Sequence, residues 1–275
     1  GHNYLTWNEK IANYFFRESA AGAQCYLDLD EDVLIEIGGN INSVEDFLQA
    51  VRSELVVSNS FTLDRIDRAA KEWTRSDKQN APPYVAFLGL LVLAANQMRA
   101  SEQYTSSAYY PRLAELLGNA DLRGPLSQRA TNWDHFWEDL SDWLSFELAG
   151  KKGVLPLPNA EDVTYFRYVT RIRYQALLRQ ADEELFEELF DELGLSQDNV
   201  PDLSQIEGLV KFWAASDRFS GFLAATVEED WGLKAVSEAA HSLLLAYESG
   251  VHSYSNIRRK NRSNTNNSPN VDRFH

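Results

Sequence analysis

Apolar residues recur every three or four positions along most of the chain, a spacing typical of amphipathic helices. Thr6 is a candidate N-cap of the first helix, and Ser43 followed by Asp46 resembles a capping box. The segment 31–39 predicts one or two further turns that end at a pair of glycines. The pattern predicts longer helices over 5–16, 43–55, 61–73, 84–98, 109–118, 132–144, 174–193, 203–215, 217–229 and 233–249.

Two short stretches show the alternation of extended chain instead. Residues 24–30 place Cys25, Leu27 and Leu29 on one face, and 154–157 is a second short candidate strand. The sequence contains no repeat at a fixed period. We therefore predict a mainly α fold, a multi-helix globular bundle with one or two short β elements.

The segment 84–98 is apolar on nearly every side, and two prolines precede it. Proline suits the first turn of a helix, and a helix that is apolar all round is a buried one. We therefore expect 84–98 to be the central buried element. Its longest apolar run has 12 residues, whereas a bilayer requires about 20, so no membrane association is expected.

The chain has 275 residues, of which 44% are hydrophobic. This is enough for a sizeable core without a metal or a disulfide. The single Cys25 has no partner for an intrachain disulfide, which favours a reducing, cytoplasmic compartment. We predict one helical domain over 3–256, with a candidate lobe break at the glycines and prolines of 150–160, and a flexible polar tail over 257–275.

The formal net charge is −15. Such a field repels phosphate backbones, so we do not expect the acidic body to bind nucleic acid. The tail carries the one basic cluster, which is either a solubilising segment or a contact for nucleic acid or an acidic partner. That cluster consists of Arg258, Arg259, Lys260 and Arg262.

The segment 132–144, "NWDHFWEDLSDWL", holds the densest group of aromatic and chemically active residues. Helical geometry puts its tryptophans on one face and most of its charges on the other. His135 and Asp139, one turn apart, would supply two metal ligands, but the sequence offers no third. We interpret the segment as a core face with a solvated face, and a partner-docking surface is the main alternative.

Other candidate groups have similar structural interpretations. The acidic face of 182–193, with carboxylate pairs such as Glu184 and Glu188, predicts a solvated surface or a docking site for a basic partner. We interpret Cys25 as a small buried hydrophobe and His241 as a structural histidine. A nucleophile–base pair formed by these two residues remains open at this point.

Motifs that would define an enzyme are absent from the sequence. It contains no phosphate-binding glycine loop, no G-x-S-x-G elbow, no C-x-x-C pair and no complete EF-hand loop. Scattered carboxylates such as Asp28, Asp30 and Glu36 remain the candidates for a hydrolytic or nucleic-acid-processing site. We assign no catalytic, metal-binding or cofactor-binding residue and expect no cofactor.

Four phrases together resemble a known kind of protein: "NYFFRESAAGAQCYLDLDEDVLIEIG", "NAPPYVAFLGLLVLAA", "YYPRLAELLG" and "WEDLSDWLSFELAGKKGVLPLP". The combination is similar to the N-terminal region of large uncharacterised bacterial proteins from phage-defence and mobile-element gene clusters. The resemblance covers most of 5–215 and implies a module that is either excised from other proteins or acts beside them. It includes no catalytic motif and therefore transfers no functional residue.

The interpretation we favour is a non-catalytic protein–protein interaction or scaffold module of a bacterial cytoplasmic system, such as anti-phage defence. Its expected partner is another protein of the same system. The alternatives are an enzyme component with a carboxylate-based site, and nucleic-acid binding through the basic tail.

Overall fold

The computed structural model describes residues 3–100, 106–122, 134–157 and 175–247. Within these ranges the chain forms eleven α-helices and one two-stranded antiparallel sheet, which confirms the predicted mainly α fold. The elements are α1 (Tyr4–Phe15), α2 (Glu31–Gly38), α3 (Ser43–Leu55), β1 (Val56–Val57), β2 (Ser60–Phe61), α4 (Asp64–Thr74), α5 (Val85–Ala100), α6 (Ser106–Leu116), α7 (Asp134–Asp142), α8 (Gln180–Leu193), α9 (Leu203–Ala215), α10 (Gly221–Val227) and α11 (Asp230–Tyr247).

The contacts group the chain into two compact units, Gly1–Leu177 and Leu178–His275. Helices α1 to α7 belong to the first unit and α8 to α11 to the second. Residues 150–157 belong to the first unit, so the contacts divide the chain later than the candidate lobe break. The single domain over 3–256 stays a prediction.

Helix α5 is the centre of the first unit. The side chains from Tyr84 to Asn96 are buried, and α1, α3, α6 and α7 pack against the helix. Gly89 allows close packing, since a Cβ atom there would lie 2.9 Å from a methyl carbon of Leu29. The prediction that 84–98 is the central buried element is confirmed.

Two side chains of α1 supply partners for the start of α5. The Asn8 carboxamide and the Tyr4 hydroxyl accept hydrogen bonds from the N–H groups of Ala86 and Phe87, at 2.9 and 3.2 Å. They donate in turn to the carbonyl oxygens of the two prolines before the helix, at 2.8 and 3.0 Å. Burial raises the pKa of the Tyr4 hydroxyl, which therefore stays protonated and can donate.

Two predicted N-caps are wrong. Asn3 rather than Thr6 caps α1, because the Asn3 side chain accepts the Thr6 N–H at 2.9 Å. Helix α3 begins at Ser43 itself, and Asn42 occupies the N-cap position without a side-chain hydrogen bond to the helix. The Ser43 side chain is instead buried against Gly38, and its hydroxyl oxygen has no hydrogen-bond partner in the described structure.

The two predicted strands meet at a single point. Gln24 and Val154 form a parallel bridge, with the Cys25 N–H donating to the Val154 carbonyl at 2.8 Å. The regular sheet lies elsewhere, in the hairpin β1–β2, whose turn residues Ser58 and Asn59 have φ angles of 49° and 61°. Within the described ranges the β content is therefore as small as predicted, but the sequence predicts its location only in part.

A buried carboxamide joins the irregular segment 25–30 to α5. The Asn96 Nδ2 donates to Asp28 Oδ1 at 2.8 Å and to the Leu29 carbonyl at 2.9 Å. Nearby, the Leu27 N–H donates to the Gln175 side chain at 2.9 Å. Asp28 and Asn96 are 1% and 2% exposed, so side-chain partners replace a strand ladder here, as buried polar groups require.

The substitution Asn96→Asp should destabilise the protein, because it replaces the donor facing the buried Asp28 by a second carboxylate. We expect a loss of about 3 kcal/mol in the free energy of unfolding at neutral pH. The matched control is Gln97→Glu, which changes the neighbouring amide to an acid at an exposed bond to Glu31 of 2.9 Å. Denaturant unfolding of both variants checks this, and equal losses would contradict the role of the buried bond.

Candidate functional site

The three scattered carboxylates are each engaged within the fold. Asp28 accepts the buried bond from α5, Asp30 caps α2 by accepting the Val33 N–H at 2.8 Å, and Glu36 accepts the Tyr14 hydroxyl at 2.9 Å. Among the described residues, no group of three or more His, Cys, Asp or Glu side chains could hold a metal ion. The structure therefore does not assemble these carboxylates into a metal-binding site.

Cys25 is 1% exposed, which confirms its interpretation as a small buried residue. Burial raises the pKa of its thiol to about 11, and the Arg17 charge opposes this only in part. The thiol is therefore protonated at neutral pH, which disfavours a nucleophilic role because the thiolate is the reactive form. His241 is a half-buried residue of α11.

The acidic helix α8 differs in part from its predicted surface. Phe186, Leu189 and Phe190 are buried, whereas Leu193 at the end of the helix is 50% exposed. Asp182 and Glu183, however, are only 5% and 6% exposed, so the prediction of a solvated face is wrong for these two. The Asp182 carboxylate accepts the backbone N–H of Arg179 at 2.9 Å and so closes the first turn of the helix.

The basic tail is the segment 257–275. Its four predicted contact residues lie outside the described part of the chain, and the prediction that they bind nucleic acid or an acidic partner stays a prediction. These residues are Arg258, Arg259, Lys260 and Arg262.

Helix α7 separates aromatic from charged side chains as predicted. His135, Glu138, Asp139 and Asp142 are exposed, whereas Trp133 lies outside the described residues. The buried face consists of Phe136, Trp137 and Leu140 and continues into Trp143 and Leu144. The segment is therefore core on one side, and its opposite side faces solvent.

The end of α7 widens into a π-helical turn over Trp143–Glu147. The Leu148 N–H bonds to the carbonyl of Trp143, five residues back, at 2.9 Å. Turns of this kind are rare and frequently occur at functional sites. Here the turn brings Trp143, Phe146 and Glu147 to the wall of one cleft, and Phe146 is 77% exposed.

This cleft has a volume of about 270 Å³. It lies between the end of α4, the following loop, α7 and the π turn. We call it the acidic cleft, and it is lined by Trp73, Thr74, Lys78, Asp139, Asp142, Trp143, Phe146 and Glu147.

Two indole rings form the aromatic wall of the acidic cleft. Trp73 and Trp143 meet edge to face, with ring centroids 6.4 Å apart and planes at 71°. The Trp73 indole N–H donates to the Asn80 carbonyl, and that of Trp143 donates to the Lys78 carbonyl, each at 2.9 Å. These hydrogen bonds fix both ring orientations.

Three carboxylates and one ammonium group line the acidic cleft, those of Asp139, Asp142, Glu147 and Lys78. The Lys78 Nζ lies 2.6 Å from Glu147 Oε1 and 5.7 Å from the centroid of the Trp73 ring. Asp139 keeps an exposed surface, but the surrounding protein removes part of its hydration and raises the pKa of its carboxyl. Carboxylates beside aromatic rings attract cations and repel anions.

The acidic cleft is not evident from the sequence. Trp73 is the last residue of the predicted helix 61–73, and Lys78, Phe146 and Glu147 carry no motif. The nearest signal is the docking-surface alternative for 132–144, which contains Asp139 and Asp142. A cleft built from residues of separate elements leaves no local pattern.

Comparisons with known proteins add no assignment: no family model, no curated protein and no solved structure matches the chain. Within the described residues, no helix is long and apolar enough to span a membrane.

The substitution Asp139→Asn should stabilise the protein at neutral pH. Because the folded-state pKa of Asp139 is raised, its ionisation lowers the free energy of unfolding. This loss is absent below the unfolded pKa of about 4, where the carboxyl is protonated in both states. The stability difference between variant and wild type should therefore appear as the pH rises through the folded pKa and shrink at lower pH.

Thermal unfolding of both proteins from about pH 3 to about pH 8 measures this difference. Asp217→Asn, at an exposed position of the second unit, serves as the control for the loss of one negative charge. A variant no more stable than wild type at neutral pH would contradict the expected direction.

Proposed function

We propose that the chain is a non-catalytic interaction module that binds a basic segment of another protein through the acidic cleft. The observation that carries the proposal is the convergence of Asp139, Asp142 and Glu147 on an aromatic wall. No group in the acidic cleft is arranged as a nucleophile beside a base, whereas the cleft does offer carboxylates and the ring face of Trp73 for a cation.

The acidic cleft has room for one long side chain, and its volume lies near the lower end of the range for drug-sized ligands. Pockets for drug-sized ligands measure about 300–1,000 Å³, and this cleft has about 270 Å³. The exposed Phe146 ring at its wall provides apolar area of the kind that anchors protein interfaces. A cationic side chain in the cleft and apolar contacts on Phe146 together describe a short peptide segment.

The overall charge supports the same kind of partner. A net charge of −15 attracts a basic protein at long range and raises its association rate. Since exposed charges are screened by salt, the affinity should fall as ionic strength rises. The same field disfavours the phosphates of nucleic acids.

The biological setting belongs to the proposal as well. The resemblance of the quoted phrases supports a bacterial defence or mobile-element system, and the single Cys25 supports a cytoplasmic location. Recovery of one specific basic protein with the chain from its source cell would support this setting. Failure to recover a specific partner would count against it.

The basic tail carries a second candidate function, nucleic-acid binding. Its four clustered cations are the observation in its favour. Deletion of 257–275 should abolish binding to a nucleic acid if the tail is responsible. Binding that persists after the deletion would exclude this role.

The double substitution Asp139→Asn and Asp142→Asn should weaken the binding of a basic probe peptide about tenfold, because it removes two of the three carboxylates. The probe is a labelled peptide of alternating lysine and glycine, and a peptide with glutamate in place of lysine measures nonspecific binding. Fluorescence anisotropy at low and high salt gives the affinities.

The matched control is the pair Asp198→Asn and Asp217→Asn, which removes the same charge from exposed positions of the second unit. The control should bind the lysine peptide within about twofold of wild type. Equal weakening in both double variants would mean that net charge rather than the acidic cleft governs binding.

A further inference from the structure

Lys78 occupies the acidic cleft in an unusual backbone conformation. Its φ angle is 52°, in the left-handed backbone region that residues other than glycine and asparagine rarely adopt. Its carbonyl oxygen accepts the Trp143 indole N–H at 2.9 Å. The backbone at this position is therefore tied to one wall of the cleft, and this orientation determines where the side chain can reach.

The side chain of Lys78 reaches the two groups that a foreign cation would use. Its ammonium is 2.6 Å from Glu147 and 5.7 Å from the Trp73 ring centroid. The side chain is 28% exposed and that of Glu147 is 48% exposed, so water and other solutes reach the pair. An ion pair of this exposure contributes little net free energy, because solvation compensates for most of its attraction.

We propose that the ammonium position between Trp73 and Glu147 is a lysine-recognition subsite, which Lys78 fills in the unbound protein and a lysine of the partner takes over on binding. This inference rests on the proposed function of the acidic cleft: the ligand group is a lysine ammonium, and Lys78 competes with it. The intramolecular lysine keeps the subsite closed to weak cations, and a peptide that also contacts Phe146 displaces it.

The alternative is that Lys78 neutralises Glu147 permanently. The two arrangements predict opposite effects of removing the ammonium. If Lys78 competes with the partner, the apparent affinity for the peptide is proportional to the fraction of molecules whose subsite is empty. Removing the Lys78 ammonium empties the subsite and therefore raises the affinity. If the pair is permanent, its loss leaves the peptide affinity unchanged or lowers it.

The test uses Lys78→Asn in the full chain. Asparagine tolerates the left-handed conformation and keeps the carbonyl that binds Trp143, while it removes the ammonium. We expect the lysine–glycine peptide to bind the variant about three- to tenfold more tightly than wild type.

The matched control is Lys71→Gln, which removes one positive charge from an exposed position of α4 outside the acidic cleft. Its peptide affinity should stay within about twofold of wild type. Addition of Glu147→Gln to Lys78→Asn should cancel the gain, since the carboxylate that receives the peptide's ammonium is then missing.

A measurement on the wild-type protein is independent of how the variants fold. The Trp73 ring should shift the proton resonances of the Lys78 side chain, and saturating peptide should move them toward the values of a free lysine. Resonances that do not move while the peptide binds would overturn the displacement.

The outcomes separate this inference from the proposed function. Tighter binding by Lys78→Asn, without a similar gain in Lys71→Gln, supports the inference. If wild type binds the peptide and Lys78→Asn binds it equally or more weakly, the inference is overturned and the proposed function stands. An equal gain in both lysine variants has the same meaning. No binding of the basic peptide to any variant overturns both.

Discussion

A helix buried along its length must find protein partners for its end groups, because water cannot reach them. Helix α5 meets this constraint through Asn8 and Tyr4 of α1, which accept two N–H groups at its start and donate to the two preceding carbonyls. Sliding α1 along α5 by one turn would break all four bonds while leaving apolar surfaces in contact. These four hydrogen bonds therefore favour the observed register of the pair in addition to its apolar packing.

The position of the acidic cleft depends on the same region. Tyr84, the residue before α5, stacks on Phe136 of α7 with ring centroids 4.5 Å apart, and its ring also meets Trp73 of α4 at 6.2 Å. One buried ring thus aligns the two helices that form the walls of the cleft. Buried ring contacts thus hold both walls, whereas the carboxylates of Asp139, Asp142 and Glu147 between them are exposed.

Apolar periodicity is sufficient to predict the described helices, and α5 in particular, because burial follows the helical repeat closely. It does not fix their bounds, since α8 begins at Gln180 and the predicted helix begins at residue 174. It could not choose between neighbouring cap-forming residues, so Thr6 and Ser43 were placed wrongly. The hairpin turn uses Ser58 and Asn59 in place of glycine and joins two-residue strands, which leaves too short a pattern to detect. The acidic cleft was not predicted, because tertiary contacts bring its separate segments together.

Cys25 is the chain's single cysteine, and its sulfur packs against Gly153 beside the bridge between Gln24 and Val154. A thiol-reactive electrophile can reach the buried Cys25 only after the contact between the two segments has opened. Because the chain has one cysteine, every labelled molecule is modified at Cys25, and no engineered residue is needed. The rate of labelling would therefore report how often the contact between the segments around Gln24 and Val154 opens.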